Sequence, residues 1–397
     1  MLTDDDSAWL GVVLVYTAAV IAPLITDRLR LPTPVVEIVL GIVLGPSLLG
    51  VVAGTDLTEL FSQLGLTMLF FLAGYELDLS RIKGRPLNLA ALGWVVSLAV
   101  GIGLSMLVLF DVRAGVLVGV AVSTTALGTI LPMVRDAGLL EHRLGWHIMA
   151  IGAVGEFAPI VVIAVFFSGD GHDSIDPALL GAGVLAVGVA VLAMRPRSGK
   201  VSRMLSQTLG TSVQFAVRLA FLAIVFLVWV AYEVGVDIIL GAFAAGIVIR
   251  GLISTISQEE GEVVASKLDA VGYGVLIPFF FVMTGVDFQV KALVGSTSAL
   301  VLLPVFLALF LVARAVVTWF THRTAVPDRG ERRVLSLFAA TQLPLVVVLA
   351  NIGQTAKVIS AGTATAMIGA GMLSVLLFPL MALWRKTPST VPAAEVR

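Results

Sequence analysis

The sequence GVLVGVAVSTTALGTILPMV (Gly115–Val134) is an apolar stretch of 20 residues with a run of hydroxyl side chains at its centre. A helix needs about 20 residues to cross the hydrocarbon core of a bilayer. The polar run Ser123–Thr125 and the later Pro132 nevertheless predict a break in that helix. In lipid, a broken helix persists only where protein or a polar cavity satisfies the exposed backbone groups.

The composition is that of a membrane protein. Of the 397 residues, 58% are apolar and 13% are charged, and the mean hydropathy is +1.05. Soluble domains carry about twice that share of charge. Thirteen stretches are long and apolar enough to span a bilayer: 8–26, 33–52, 59–78, 87–110, 114–134, 145–167, 176–194, 212–234, 236–253, 268–286, 293–320, 333–352 and 358–384. We therefore predict an all-α polytopic membrane protein.

Two further segments are predicted to be interrupted in their middles, the tenth at Pro278 and the twelfth at Pro344 within ATQLPLVVV (Ala340–Val348). The fifth and twelfth segments lie seven helices apart, and an odd offset reverses the direction through the membrane, as in an inverted repeat. A single proline could be a harmless kink. Two symmetry-related breaks rich in Ser, Thr and Gln favour a pair of crossed, broken helices.

The placement of Lys and Arg predicts the orientation. With the N-terminus outside, the cytoplasmic connections hold 20 of the 25 basic residues, whereas the outer ones hold only Arg113, Lys291 and Lys357. This asymmetry follows the positive-inside rule. We expect a multi-pass protein of the cell membrane with a cytoplasmic C-terminus. The connections are short, the longest running from about Arg195 to Thr211, so we expect no soluble module among them.

Glu156, in GAVGEFAPIV (Gly152–Val161), is a charge near the centre of the sixth segment. Its side chain is too short to reach either interface, and a charge at that depth is costly. It could be a protonated glutamate that only packs helices together, but the depth favours a carrier of protons or cations. Pro159 lies one turn later and frees a backbone carbonyl near the glutamate.

Arg314, in LFLVARAVVTWF (Leu309–Phe320), is the second deep charge. It could extend to the interface along its aliphatic stem. Alternatively it is the fixed counter-charge of a carboxylate, because arginine keeps its proton in proteins.

The hydroxyls of Ser123, Thr124 and Thr125 predict an ion site at the fifth-segment break. Na⁺ and K⁺ bind several oxygen ligands, which hydroxyls and freed carbonyls supply. The same hydroxyls could instead bond back to their own helix. We predict that a monovalent cation binds at Glu156, Thr124 and Thr125, with Ser123 beside them.

Four more polar residues are candidates for the ion pathway: Thr341 and Gln342 at the twelfth-segment break, Glu37 in the second segment and Asp269 in the tenth. Motifs of soluble enzymes are missing from the sequence, including G-x-x-x-x-G-K-[ST], H-E-x-x-H and G-x-S-x-G. We therefore expect neither an enzyme nor the use of ATP, nucleic acid or a cofactor.

Five stretches together resemble the monovalent cation–proton antiporter superfamily, in the branch with bacterial sodium–proton antiporters and potassium efflux antiporters. They are Leu31–Ser47, Leu64–Leu79, Ser123–Leu140, Leu240–Ile249 and Pro278–Phe288. The resemblance extends over essentially the whole chain and concerns the transmembrane domain of these proteins.

The resemblance implies a homodimer in which scaffold helices (about 8–78 and 212–286) and core helices (about 87–167 and 293–384) are joined by a linker helix (about 176–194). It places the essential carboxylate at Glu156 and the basic residue of the eleventh helix at Arg314. Family members usually have Asp, Asn or Gln before the carboxylate, where this chain has Gly155.

The function implied is secondary active exchange of Na⁺ or K⁺ for H⁺ by alternating access. Because Gly155 offers nothing to titrate, we expect electroneutral exchange. The alternative is a sodium-coupled symporter of a small organic anion, which would need a second polar pocket for its substrate.

Overall fold

The computed structural model describes residues 4–29, 32–76, 83–140, 142–166, 213–233, 238–254 and 258–383. In this described part there are no strands, and ten helices are long and apolar enough to cross a membrane. Two shorter apolar helices accompany them, Thr33–Leu44 and Ile238–Ile253. The predicted all-α membrane fold is confirmed. The predicted segment 176–194 lies outside the described residues, so the count of thirteen stays a prediction.

The bounds of the helices are as follows. In chain order they are α1 (Asp4–Leu29), α2 (Thr33–Leu44), α3 (Asp56–Glu76), α4 (Arg85–Leu109), α5 (Val112–Val122), α6 (Leu127–Asp136), α7 (Arg143–Phe166) and α8 (Val213–Glu233). They continue with α9 (Ile238–Ile253), α10 (Gln258–Val271), α11 (Ile277–Val286), α12 (Val290–Val294), α13 (Thr297–Phe310), α14 (Val317–Thr321), α15 (Arg329–Ala339), α16 (Pro344–Thr355) and α17 (Ala361–Leu383). π-Helical turns join α10 to α11 (Gly272–Leu276) and α13 to α14 (Leu311–Val316).

Both predicted breaks with flanking hydroxyl or amide residues are confirmed. The first separates α5 from α6, and residues 124–126 between them are not helical. The second separates α15 from α16, with residues 341–343 outside the helices. Pro344 opens α16, where its missing N–H leaves no hydrogen bond unmade and its fixed φ suits a first helical turn.

The predicted interruption at Pro278 is wrong. The chain runs from α10 into α11 without leaving helical geometry, through the π-helical turn Gly272–Leu276 directly before the proline. A proline cannot donate to the carbonyl four residues earlier and its ring crowds that carbonyl. The wider π-helical turn accommodates both effects, so the hydrogen-bond pattern changes locally and the helix stays continuous.

Packing divides the chain into two units. The first comprises Met1–Ala19, Gly54–Asp78 and Ile160–Met283, and the second comprises the remainder of the chain, which includes Leu79–Pro159 and Thr284–Arg397. These bounds differ from those of the predicted scaffold and core, which remain a prediction. All predicted site residues except Asp269 belong to the second unit.

In the first unit, α3 and α9 pack with their backbones in close contact. A Cβ atom added at Gly246 would lie 2.1 Å from the carbonyl oxygen of Phe71. One added at Gly74 would lie 2.2 Å from the carbonyl oxygen of Phe243. Small residues permit this kind of approach between membrane helices, and dispersion contacts between the two backbones then stabilise the pair.

This packing gives the first prediction. Gly246→Ala should lower the melting temperature of the purified protein in detergent by several degrees, because the added methyl group would overlap backbone atoms and overpacking costs about 1–3 kcal/mol. The matched control is Gly103→Ala in α4, where an added Cβ meets nothing within 4 Å. Equal melting temperatures for the two variants would show that the α3–α9 contact is not tight.

Candidate ion-binding site

The two helix breaks lie against each other in the second unit. The backbone N–H of Ala126 donates to the carbonyl of Thr341 at 2.9 Å. The side-chain amide of Gln342 donates to the carbonyl of Val122 at 2.7 Å. Each break therefore satisfies backbone groups that the other leaves outside a helix, which is the condition for a break at membrane depth.

Ser374 in α17 fixes the second break. Its hydroxyl accepts from the backbone N–H of Gln342 at 2.9 Å and lies 2.9 Å from the carbonyl oxygen of the same residue. The side chain is fully buried. Sequence reasoning missed this residue, because a lone serine in an apolar helix carries no distinguishing signal.

Glu156 in α7 points to the start of α6. Its carboxyl group accepts hydrogen bonds from the backbone N–H groups of Leu127 and Gly128. The first N–H groups of a helix have no partner within the helix, and the helix dipole favours negative charge there. Glu156 is 2% exposed, and its Oε2 atom has no hydrogen-bond partner within the described part of the chain. One carboxyl oxygen is thus held and the other is free to bind.

The carbonyl that Pro159 was predicted to free has a partner at the break. Proline cannot donate to the carbonyl four residues earlier, which belongs to Gly155. The backbone N–H of Thr125 donates to this carbonyl at 3.0 Å. Because Pro159 leaves the Gly155 carbonyl without a donor in α7, this carbonyl is available to bond to the break between α5 and α6, directly beside Glu156.

Arg314 lies in the π-helical turn Leu311–Val316 and is 1% exposed. Its Nε and Nη2 groups both donate to the hydroxyl of Thr125, Nε at 3.2 Å. Weaker contacts reach the carbonyl of Ala339 at 3.4 Å and the hydroxyl of Ser97 at 3.5 Å. Arg314 and Glu156 both lie in the described part of the chain, and no ion pair joins them. The sequence LVARAV gives no sign of the π-helical turn.

The remaining hydroxyls follow the alternative of bonding to their own helix. Ser123 donates to the carbonyl of Val120 and Thr124 to that of Ala121, both at 2.8 Å. Thr341 donates to the carbonyl of Leu337 at 3.1 Å. Each hydroxyl keeps its lone pairs. The Oε1 atom of Gln342 is buried without a partner among the described residues.

Glu37 and Asp269 belong to different units of the chain. Glu37 is buried in α2 and belongs to the second unit. Asp269 is partly exposed on α10, belongs to the first unit, and interacts electrostatically with Tyr75. Their place in an ion pathway stays a prediction.

A pair of buried histidines escaped the sequence reasoning. The rings of His147 and His322 meet edge to face, with centroids 5.5 Å apart. Nδ1 of His322 lies 3.0 Å from the hydroxyl of Thr321. Nδ1 of His147 and Nε2 of His322 have no partner in the described ranges. The two residues are 175 positions apart, so only the fold brings them together.

This pair gives the second prediction. Burial lowers the pKa of His322 to about 4, and the charges of His147 and Arg314 act in the same direction. The unfolded chain therefore binds the His322 proton more readily than the folded protein, so stability should fall as the pH drops from about 6.5 towards 4.

The measurement is the melting temperature at pH 7 and pH 5 in the same detergent. We expect His322→Gln to lose part of the drop that the unmodified protein shows, and His142→Gln, on a half-buried loop residue, to keep it. An identical drop in the unmodified protein and in His322→Gln would contradict the prediction.

Comparison with known proteins gives concordant findings. Residues 16–383 match the family model described as "Sodium/hydrogen exchanger, transmembrane". YjbQ of Bacillus subtilis, a protein named for Na⁺/H⁺ antiport, is 30% identical over 93% of this chain. The chain spans 62% of the length of that relative. GerN of Bacillus cereus, named an Na⁺/H⁺-K⁺ antiporter, is 23% identical, and the match covers 93% of this chain and 94% of GerN.

A solved structure shows the same fold. The sodium proton antiporter MjNhaP1 of Methanocaldococcus jannaschii superposes with a TM-score of 0.69 at 15% identity. The superposition covers 95% of this chain and 97% of that protein.

Proposed function

This chain belongs to the sodium/hydrogen exchanger family, and we propose from that premise that it exchanges Na⁺ or K⁺ for H⁺ by alternating access. The observation that supports this most directly is the placement of Glu156. Its carboxyl group is buried where the two breaks meet, with one oxygen held by a helix N-terminus and the other without a partner among the described residues. The names of the relatives YjbQ and GerN support the same class of reaction.

The exchange rests on competition for Glu156. A carboxylate removed from water is costly unless something neutralises it. A proton or a monovalent cation can each do so, but the two exclude one another at a single free oxygen. If only the neutralised site crosses the membrane, a cation carried one way requires a proton carried the other way. Linkage makes the antagonism reciprocal, so protons weaken cation binding as much as cations weaken proton binding.

The cation ligands we propose are Glu156, Ser123, Thr124 and Gln342. The hydroxyl protons of Ser123 and Thr124 point to their own helix, so their lone pairs are left for a cation. The Oε1 atom of Gln342 is buried without a hydrogen bond in the described structure. Hydroxyl, amide and carboxylate oxygens are the ligand types that Na⁺ and K⁺ accept. Thr341 shares the second break and would line the pathway.

Assembly and location follow the family. We propose a homodimer in the cell membrane with the N-terminus outside and the C-terminus in the cytoplasm, where exchange would serve pH homeostasis. The asymmetry of basic residues between the two sets of connections supports this orientation.

The third prediction concerns the carrier itself. Glu156→Gln should reduce cation-driven proton movement in proteoliposomes to the level of empty liposomes, because an amide cannot exchange a proton for a cation. Glu156→Asp should retain partial exchange with a shifted pH optimum. The matched control is Glu59→Gln, on an exposed residue of α3. Normal exchange in Glu156→Gln would remove this residue from the mechanism.

The same assay separates the alternative function. Vesicles with an acid interior receive Na⁺, K⁺ or Na⁺ with an organic anion such as taurocholate in turn. A proton signal with Na⁺ or K⁺ alone is the outcome expected for an exchanger. Uptake that needs the organic anion would instead reveal a sodium-coupled symporter.

The fourth prediction concerns stoichiometry. Glu156 is the only acidic residue of the described part of α7, and arginine keeps its proton, so one H⁺ exchanges for one cation. Na⁺-driven exchange should then be independent of a membrane potential clamped with potassium and valinomycin. A rate or end-point that follows the imposed voltage would show that a second group, with Glu37 and Asp269 as the candidates, titrates in the cycle.

A further inference from the structure

We infer that Thr125 is the neutral partner that positions Arg314 and keeps it away from Glu156, and that the missing side chain at Gly155 makes room for this arrangement. Thr125 is then a positioning residue and not a ligand of the cation. The inference rests on the proposed function, in which Glu156 must stay free to bind a proton or a cation.

The hydrogen bonds of the Thr125 hydroxyl leave no capacity for a cation. A hydroxyl has one proton to donate and two lone pairs to accept with. The proton goes to the carbonyl of Ala339 at 2.7 Å. Both Nε and Nη2 of Arg314 donate to the oxygen. Thr124 and Ser123, by contrast, donate to their own helix and accept from no other described group.

The position of Gly155 explains how Arg314 reaches Thr125. A Cβ atom added at Gly155 would lie 2.6 Å from the Thr125 hydroxyl oxygen and 2.7 Å from Nη2 of Arg314. Separations this short do not occur between real atoms of these kinds, so any side chain at position 155 would push one of the two groups away. The guanidinium group thus occupies the space that a side chain at position 155, directly before Glu156, would fill.

The geometry also indicates what Thr125 prevents. A buried guanidinium group needs acceptors, and the other acceptors of Arg314 among the described residues form weak bonds, at 3.4 and 3.5 Å. Without the Thr125 hydroxyl, we expect the guanidinium group to take Oε2 of Glu156 as its acceptor, because this atom has no partner in the described part of the chain. An ion pair there would hold the carboxylate charged and would compete with both the proton and the cation.

The test separates a positioning role from a ligand role by two readouts in detergent. The first is the Na⁺ midpoint, which is the Na⁺ concentration that half-fills the site, fitted from the logarithmic dependence of the melting temperature on Na⁺. The second is the pH at which protons abolish half of the rise in melting temperature that Na⁺ gives at a fixed multiple of each variant's own midpoint. Thr125→Val should raise the first about tenfold or more and move the second to lower pH, because Arg314 now competes for Glu156. Thr125→Ser should restore both values.

A double-mutant cycle gives the decisive comparison. In the Arg314→Gln background, Thr125→Val should change the Na⁺ midpoint by less than about twofold, since nothing is left to position. Thr124→Val should weaken Na⁺ binding equally in both backgrounds and leave the proton competition where it was. If Thr125→Val behaves like Thr124→Val, the inference is overturned and Thr125 is a cation ligand.

Gly155→Ala keeps the test decisive if Arg314→Gln does not fold. It leaves every hydroxyl in place, yet it should reproduce the shifts of Thr125→Val, while Gly103→Ala should not. An unchanged Na⁺ midpoint and pH in Gly155→Ala would overturn the inference. Failure of the proposed function shows differently: Glu156→Gln would then retain the Na⁺-induced rise in melting temperature.

Discussion

Backbone groups at membrane depth have no water to bind, and the centre of this protein is organised by that constraint. The break between α5 and α6 and the break between α15 and α16 each leave such groups outside a helix. They satisfy one another, through Ala126 with Thr341 and through Gln342 with Val122. Because the pairing is reciprocal, the polar crossing exists only when both breaks are in place, and the ion site that we propose arises from the same requirement.

The two deep charges are held by neutral groups. The carboxyl group of Glu156 is held by backbone N–H groups at the start of α6, and Arg314 by a hydroxyl and a carbonyl. Dipoles hold a charge in place without cancelling it, whereas an opposite charge would do both. In the exchange we propose, Glu156 therefore keeps an unbalanced charge that a mobile ion can neutralise, and Arg314 supplies a fixed positive charge that does not take part.

Much of this fold could be predicted from the sequence because the bilayer fixes the length of each span and lipid selects its composition. The breaks were predictable because hydroxyl or amide residues lie in them and a proline follows each, and the free carbonyl at Gly155 because Pro159 cannot donate to it. The same reasoning was wrong at Pro278, since a π-helical turn can absorb a proline that the sequence alone presents as a break.

The site was harder to predict than the fold. Thr124 and Thr125 are adjacent residues of the same type, yet their hydroxyls have different partners. The Thr124 hydroxyl donates to its own helix, whereas the Thr125 hydroxyl accepts from Arg314. Only the direction of the non-helical backbone separates the two. The π-helical turn around Arg314 has no proline or glycine to mark it. Some contacts join segments that are far apart in the chain, and local sequence patterns cannot show them. Examples are the bonds of Ser374 and the contact between His147 and His322.

The crossing also constrains how the protein is made. Val122 receives its hydrogen bond from Gln342, a residue 220 positions later in the chain. A chain synthesised from its N-terminus therefore places the first break in the membrane long before its partner exists. Until the second break is inserted, the carbonyl of Val122 and the N–H of Ala126 need another partner, such as water drawn into the bilayer. Assembly of the centre is thus a late event. The groups at the first break have to stay accessible until the second break is inserted.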